Sequence, residues 1–232
     1  MALTTSDSWP AGRRLYPVGL VVRGRRCLVV GGGRVAARKI AALLYCGAAV
    51  TVVAPEVHEA LAALFEDGTI AGIDGSPLDV QVRPYEPGEA AGYRLVVTAT
   101  GVADVDALVY GDAEAAGVWV NSADDPEHCS FVLPAVWRTG PVSVAVSSGG
   151  NSPAFATWLR DRLADEVGTE VGALVELLAE ARRRLHLEGR STSEVAWTAL
   201  LDGPLPQLVR DGRIDEARAL LDAAVALPVV TE

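Results

Sequence analysis

Hydrophobic and polar residues alternate along the first half of the chain in a way that predicts strands and helices in turn. Short apolar runs predict buried strands, and the stretches between them carry apolar residues at helical spacing. Strands that alternate with helices are typical of a parallel, doubly wound sheet, which binds its ligand at the carboxyl ends of the strands. The predicted strands are 27–30, 49–54, 80–83, 93–100 and 118–121, and the predicted helices are 35–46, 58–65 and 104–116.

A glycine-rich turn joins the first predicted strand to the first predicted helix. Gly31 and Gly33 with Ala36 match the G-x-G-x-x-G/A pattern of a dinucleotide site. The first glycine permits the tight turn, the second lets the backbone approach a pyrophosphate, and the small third residue lets the helix pack closely on the strand. The bare N–H groups at the helix start attract the anion. The strand, turn, helix and second strand follow in the required order, which favours a dinucleotide site over a turn that only serves packing.

The position after the second strand of such a domain commonly carries an acid that binds the adenosine ribose. Here that position falls near Ala54 and Pro55, with Glu56 one step later. This placement mildly favours NAD over NADP. Arg34 is the alternative candidate, for a 2′-phosphate, although a solvent-exposed helix arginine is the simpler interpretation.

The pattern changes after Asn121. Two strand-like runs, 130–137 and 142–147, are joined by a short turn and no helix, which predicts an antiparallel extension able to pair with a second copy of the chain. From Pro153 onward the pattern is helical, over 154–167, 171–187 and a shorter pair within 193–226. We therefore expect an NAD-binding Rossmann domain over 1–124, a β-rich dimerisation segment over 125–152 and a helical domain over 153–232.

Composition and charge exclude several classes of protein. The net charge of −10 argues against nucleic acid as the main partner. No apolar run is long enough to predict a membrane span, and the polar start of the chain does not indicate secretion. The three cysteines, Cys27, Cys46 and Cys129, lack C-x-x-C spacing. A reduced, cytoplasmic protein is the expectation.

Two polar loops are candidates for chemistry. The segment 121–126 follows the fifth predicted strand, and a carboxylate there is placed to act as a general base near a bound nicotinamide. Ordinary turn chemistry is the competing interpretation. The segment 147–153 combines hydroxyls, glycines and a helix start, which is suited either to an anion cradle or to a cap and hinge. His128 and Cys129 are adjacent and make a poor chelate, so no permanent metal site is expected.

Taken together, these segments resemble the precorrin-2 dehydrogenase/sirohydrochlorin ferrochelatase family, the N-terminal module of siroheme synthase. The resemblance spans about residues 15 to 187, and the order and spacing of its motifs are more specific than any one of them. The motifs are Tyr16-Pro17, the run from Val30 to Lys39, Val52-Val53-Ala54-Pro55-Glu56, Ala99-Thr100, Asn121 to Asp124 with Pro126, Ser130-Phe131-x-x-Pro134, and Val146-Ser147-Ser148-Gly149-Gly150-x-Ser152-Pro153.

This resemblance implies oxidation of precorrin-2 to sirohydrochlorin with NAD, followed in some relatives by insertion of ferrous iron as a substrate, within a homodimer. It makes Asp124 the acid/base residue. It also implies that the serine matching Ser148 lies in the tetrapyrrole pocket, and in some relatives that serine is phosphorylated. The expected cofactor-binding residues are Gly31, Gly33, Arg34, Val35, Pro55, Glu56 and Thr100, and the expected substrate-binding residues are Ser148, Gly149, Gly150, Asn151 and Ser152.

Some features depart from the family pattern. Gly101 follows Ala99-Thr100 where the family often has acidic residues, and Asp104 and Asp106 come slightly later. Asp125 adds a charge beside Asp124, which is expected to raise the pKa of one of the pair. The competing functions are a dehydrogenase without chelatase activity, a non-catalytic NAD-sensing module and a Rossmann dehydrogenase for a small acid. The last is disfavoured, because no His-Asp or Tyr-Lys catalytic pair is apparent in the sequence.

Overall fold

The computed structural model describes residues 14–59, 61, 77–123 and 125–226. It divides into two units, Leu15–Leu133 and the described part of Pro134–Glu232. The first unit contains a parallel sheet flanked by helices. The second contains a two-stranded hairpin and the C-terminal helices, so the hairpin that the sequence sets apart as a dimerisation segment packs within the helical unit.

The first unit carries a five-stranded sheet in the order β3-β2-β1-β4-β5, and each neighbouring pair is parallel. The order reverses between β1 and β4, and ligands bind at such a point, outside the carboxyl ends of the strands. The predicted α/β doubly wound class is confirmed. The strands are β1 Arg26–Val30, β2 Ala49–Ala54, β3 Leu78–Val82, β4 Leu95–Thr98 and β5 Trp119–Ser122, and the helices are α1 Arg34–Tyr45 and α2 Ala103–Ala115.

Each face of the sheet has its own apolar core. Val29, Val52 and Val97 lie in the core that α1 covers, while Val30 and Val96 lie in the core that α2 covers. Successive residues of β1 therefore point to opposite faces, and both faces are buried, which is why these strands are continuous apolar runs rather than alternating ones. Burying each such valine contributes roughly 1.5–3 kcal/mol to folding.

The second unit begins with an antiparallel hairpin of β6 and β7. Its helices follow without further strands among the described residues. The 17-residue α4 is the longest of them, and its buried leucines pack against the last two helices. The elements are β6 Ala135–Thr139, β7 Val142–Val146, α3 Pro153–Val167, α4 Val171–Leu187, α5 Trp197–Leu201, α6 Leu205–Arg210 and α7 Ile214–Ala226.

Three expectations about individual elements need correction or fall outside the structure. The strand predicted over 130–137 begins only at Ala135, because Ser130 and Phe131 instead bond through their N–H groups to the carbonyl of Val120. The shorter pair of helices within 193–226 is three helices, since Gly203-Pro204 and Asp211-Gly212 each break the chain there. The helix predicted over 58–65 lies mostly outside the described residues.

Candidate functional site

The turn after β1 is packed against the ends of two neighbouring strands. A Cβ atom at Gly31, which has φ +123°, would lie 2.4 Å from the carbonyl oxygen of Ala99. A Cβ atom at Gly32 would lie 2.1 Å from the carbonyl oxygen of Glu56. Backbone atoms cannot move aside cheaply, so both positions require glycine. The G-x-G-x-x-G/A motif allows any residue at position 32, so the motif alone does not predict that Gly32 must be glycine.

Gly33 differs from the two glycines before it. It is the residue before α1, its φ is an ordinary −86°, and no side chain caps the helix there. A Cβ atom at Gly33 would meet nothing within 4 Å. Glycine therefore has no packing role at this position within the described structure, and it leaves open space directly before a bare helix N-terminus. This arrangement is what a pyrophosphate needs, because the N–H groups of the first turn then reach the anion.

The other predicted cofactor residues of the first two loops lie around this turn. Arg34 is exposed and Val35 half-buried, in the first turn of α1. Pro55 and Glu56 are exposed directly after β2, and the backbone of Glu56 faces Gly32. The structure thus brings these residues to one edge of the sheet. Their contacts with a dinucleotide stay a prediction.

Thr100, the remaining predicted cofactor residue, is held by a carboxylate that sequence reasoning did not assign to the site. The Oδ1 atom of Asp106 accepts a 2.7 Å hydrogen bond from the Thr100 hydroxyl and a 3.3 Å bond from its backbone N–H. The same oxygen accepts a hydrogen bond from the hydroxyl of Thr98, which is fully buried. Asp106 therefore fixes the loop between β4 and α2, beside the point where the strand order reverses.

Replacing Asp106 by alanine is expected to lower the free energy of unfolding by about 2–3 kcal/mol. The reason is that the buried Thr98 hydroxyl and the Thr100 groups would lose their acceptor, and an unsatisfied buried polar group costs about 1–3 kcal/mol. Urea unfolding followed by tryptophan fluorescence measures this. Asp104→Ala is the matched control, since Asp104 lies in the same helical turn and is exposed. Equal losses in the two variants would contradict the role given to Asp106.

The loop after β5 contains the predicted catalytic residue. Asp124 itself lies outside the described residues, so its role stays a prediction. The chain beyond it returns to β5, where Cys129 forms an antiparallel bridge with Asn121. The Cys129 sulfur accepts a hydrogen bond from the Ser122 N–H at 3.3 Å and donates toward the Ser122 carbonyl at 3.3 Å. Cys129 is thus a buried structural residue whose sulfur holds this loop to the end of β5.

Asp125 is paired with His128 in the same loop. Its Oδ2 atom lies 2.5 Å from His128 Nδ1, and this hydrogen bond lowers the pKa of the Asp125 carboxyl below its usual range. Asp125 is therefore not the member of the Asp124–Asp125 pair that has a raised pKa, and a raised pKa at Asp124, which lies outside the described residues, stays a prediction. The three-residue spacing of this His-Asp pair was visible in the sequence, but spacing alone did not predict the contact, which forms where the chain turns at Pro126–His128.

The predicted substrate loop lies in the second unit, between β7 and α3. The Ser148 hydroxyl donates to the carbonyl of Ser152 and accepts from its N–H, each at 3.0 Å. The Ser152 hydroxyl accepts from Phe155 N–H and caps α3. Gly149 and Gly150 both have positive φ, 63° and 87°, and Asn151 donates its side-chain N–H to the Ser148 carbonyl. The loop is a preformed turn at a helix start, as its sequence predicts; its use for substrate stays a prediction.

Two further properties concern metal ligands and membrane spans. Within the part of the chain that the structure describes, no group of three metal-ligating side chains comes together. Among the same residues, no helix combines the length and apolar character needed to cross a membrane.

Comparisons with known proteins agree with this geometry. A family model described as "Putative NAD(P)-binding" matches residues 18–135, and a second, "Sirohaem biosynthesis protein central", matches residues 139–166. Siroheme synthase of Nitrosococcus oceani is 37% identical over 211 residues, covering 90% of this chain and 43% of the relative. Siroheme synthase of Methylococcus capsulatus is 37% identical over 214 residues, with 90% and 43% covered. The chain therefore spans less than half the length of these curated relatives.

A solved structure is similar over its full length. SirC, a precorrin-2 dehydrogenase, is 26% identical in sequence to this chain, and the two structures match with a TM-score of 0.68. The match covers 90% of this chain and 100% of SirC. Because the first family model covers half of the sequence, the chain belongs to this NAD(P)-binding family. The resemblance to the precorrin-2 dehydrogenase/sirohydrochlorin ferrochelatase family is confirmed, as is a nicotinamide dinucleotide as the cofactor.

Proposed function

We propose that this chain oxidises precorrin-2 to sirohydrochlorin with NAD as the hydride acceptor. The observation that carries the proposal is that α1 begins directly after Gly33 with no side chain capping it. This helix start lies at the carboxyl edge of the sheet, next to the point where the strand order reverses. The similarity to SirC along that protein's whole length supports the choice of substrate. The siroheme synthase relatives support the same pathway step.

The residues of the first unit divide the work of binding and orientation. Gly33 and the N–H groups at the start of α1 would hold the pyrophosphate, and the exposed Glu56 carboxylate would accept from the adenosine ribose. Thr100, fixed by Asp106, lies after β4 beside the reversal of strand order, which is where the nicotinamide half of the cofactor belongs. When bound, NAD supplies the acceptor for the hydride.

The reaction also releases a proton, and a side chain must take it. Asp124 comes shortly after the end of β5 in the sequence, and we assign it that role. A carboxylate near the macrocycle is also suited to accept pyrrole protons while ferrous iron enters as a substrate, so a second, chelatase step in the same site is part of the proposal. The cytoplasm is the proposed location, since Cys27, Cys46 and Cys129, all within the described residues, form no disulfide.

A homodimer is the assembly that the hairpin supports. Among the described residues, β6 and β7 pair only with each other, so neither outer edge of this sheet has a strand partner there. A two-stranded sheet is marginal alone, and an open edge is a template for pairing with another chain. The neighbouring α3 leaves Phe155 51% and Trp158 56% exposed, with their ring centroids 5.7 Å apart. We assign this hairpin and α3 to the interface between two copies.

Trp158→Glu is expected to convert the dimer into a monomer, because a charge would then have to be buried in the interface. Sedimentation equilibrium should give a mass of twice 24.2 kDa for the natural chain and 24.2 kDa for the variant. Leu187→Glu is the matched control, since Leu187 is 88% exposed at the end of α4. A monomeric natural chain, or a Trp158→Glu variant that stays dimeric, would contradict this interface.

The function is tested by anaerobic incubation with precorrin-2 and NAD, followed by addition of ferrous or cobalt ion. We expect NADH absorbance to rise first and a metal-dependent change in the tetrapyrrole spectrum to follow. NADH formation without any effect of metal on the later step would leave a dehydrogenase alone. If the natural chain binds NAD and forms no NADH, the chain is a nucleotide-binding module without this activity.

A further inference from the structure

The loop between β4 and α2 lies directly against the turn that begins the proposed cofactor site. The Ala99 N–H donates to the carbonyl of Val30, the last residue of β1, at 2.8 Å. A Cβ atom at Gly31 would collide with the Ala99 carbonyl and would lie 3.2 Å from the Thr100 nitrogen. The backbone of residues 99–100 therefore contacts the glycine turn itself, at the point where the strand order reverses.

The side chain of Thr100 has no hydrogen left to donate to a cofactor. A hydroxyl carries one hydrogen, and here Asp106 Oδ1, at 2.7 Å, is the nearer of its two acceptors. The same hydroxyl accepts from the Val102 N–H at 3.0 Å. The Thr100 N–H also donates to Asp106, at 3.3 Å. The predicted role of Thr100 in cofactor binding is thereby narrowed to the peptide that it shares with Gly101.

Gly101 supplies the donor that Thr100 does not. Among the residues that the structure describes, its N–H donates to no acceptor. The residue is exposed, has φ +72°, and a Cβ atom there would meet nothing within 4 Å. Glycine adopts this left-handed backbone without steric cost. An unused N–H beside open space, where ligands bind in sheets of this kind, is suited to an oxygen atom of a ligand.

Asp106 holds this peptide on one side and Val102 holds it on the other. The Asp106 side chain is buried, and the oxygen that binds Thr100 also accepts from the buried Thr98 hydroxyl at the end of β4. Gly101 thus lies between two residues that are both tied down, Thr100 to Asp106 and Val102 to Thr100. A donor that is fixed before the ligand arrives loses little conformational entropy on binding.

We propose that the Gly101 N–H donates a hydrogen bond to an oxygen atom of the nicotinamide half of NAD, and that Asp106 is the positioning residue that holds it there through Thr100. This inference deepens the function proposed above and rests on it. A purely structural role for Asp106 makes a different prediction: the loop is stabilised, and the Gly101 N–H bonds to water in the complex as in the free chain.

The contact is tested on the backbone amide itself. The sequence contains two Thr-Gly peptides, 100–101 and 139–140. Isotope labels in the threonine carbonyl and the glycine nitrogen therefore give two signals in an amide spectrum that selects labelled carbonyl neighbours. Thr100→Val removes the Gly101 signal and so assigns it. We expect NAD to move the Gly101 amide proton downfield and to leave Gly140, in the second unit, in place. AMP, which lacks the nicotinamide half, should move neither signal.

Substitutions at Asp106 test the positioning role. Asp106→Ala should raise the Kd for NAD, measured by calorimetry, about three- to tenfold, which is the net worth of one hydrogen bond. It should also reduce the movement of the Gly101 signal on addition of NAD. Asp106→Asn keeps an acceptor oxygen and should bind NAD close to the natural affinity. Val109→Ala is the matched control, because it lowers stability by opening a cavity in the core that α2 covers and leaves the hydrogen bonds of the loop in place.

The outcomes separate this inference from the proposed function. A Gly101 signal that NAD does not move, or that AMP moves equally, would overturn the inference while leaving an NAD-dependent dehydrogenase intact. Natural affinity in Asp106→Ala, or an equal loss in Val109→Ala, would overturn the positioning role of Asp106. A natural chain that does not bind NAD would overturn the proposed function and this inference together.

Discussion

Asparagine in place of Asp124 is expected to lower the rate of NADH formation from precorrin-2 by at least about 100-fold. Asparagine keeps the size of the side chain but cannot take a proton, and general base groups typically contribute 10²–10⁴-fold. Steady-state rates at 340 nm under anaerobic conditions measure the effect. The affinity for NAD, measured by calorimetry, should stay at the natural value, because the pyrophosphate is assigned to the start of α1.

Asp104→Asn is the matched control for this variant. Asp104 is an exposed carboxylate in the first turn of α2, the helix that follows β4. Asp104→Asn therefore changes the net charge of the chain by the same amount as Asp124→Asn. We expect its rate to match that of the natural chain. An Asp124→Asn variant with the natural rate would remove Asp124 from the reaction. Parallel losses in both variants would show that net charge, and not a positioned base, is responsible.

Alanine at Gly33 and alanine at Gly31 are expected to have opposite effects on binding and stability. At Gly33 the added methyl group meets no described protein atom within 4 Å, so the fold should lose only about 0.5–1 kcal/mol, from the weaker helix cap. The methyl group would, however, occupy the space assigned to the pyrophosphate. We expect the dissociation constant for NAD to rise at least about tenfold, which is about 1.4 kcal/mol.

At Gly31 the cost falls on the fold. The methyl group would lie 2.4 Å from the Ala99 carbonyl oxygen at a backbone φ of +123°, so the turn must shift. Strain and overpacking of this kind each cost about 1–3 kcal/mol, so we expect a loss of about 2–4 kcal/mol in the free energy of unfolding. Thermal unfolding with and without NAD separates the two variants. A Gly33→Ala variant that binds NAD normally would contradict the placement of the pyrophosphate.

The parts of the fold that follow from local pattern were predictable. The apolar run of β1, the glycines after it and the helical spacing of α1 all act over a few residues, and the structure places β1 and α1 within two residues of the predicted bounds. The hairpin of β6 and β7 and the helix start at Pro153 follow from turn and cap residues in the same way.

Features that depend on contacts between distant segments were not predictable. The start of β6 at Ala135 reflects the return of Ser130 and Phe131 to the edge of β5, a pairing that no local pattern signals. Asp106 accepts hydrogen bonds from Thr98 and Thr100 because the first turn of α2 lies close to the end of β4. The three-residue spacing of Asp125 and His128 was the available signal for that pair, but spacing alone does not distinguish it from two unrelated surface residues.

The measurement that bears most directly on the proposed function is the stoichiometry of the reaction. The natural chain would be incubated anaerobically with a limiting amount of precorrin-2 and excess NAD, and NADH and sirohydrochlorin would be quantified together at completion. We expect one NADH for each sirohydrochlorin formed, and no product in the time course when NAD is omitted. Sirohydrochlorin formed at the same rate without NAD, or no sirohydrochlorin with it, would contradict the assignment of this chain as an NAD-dependent precorrin-2 dehydrogenase.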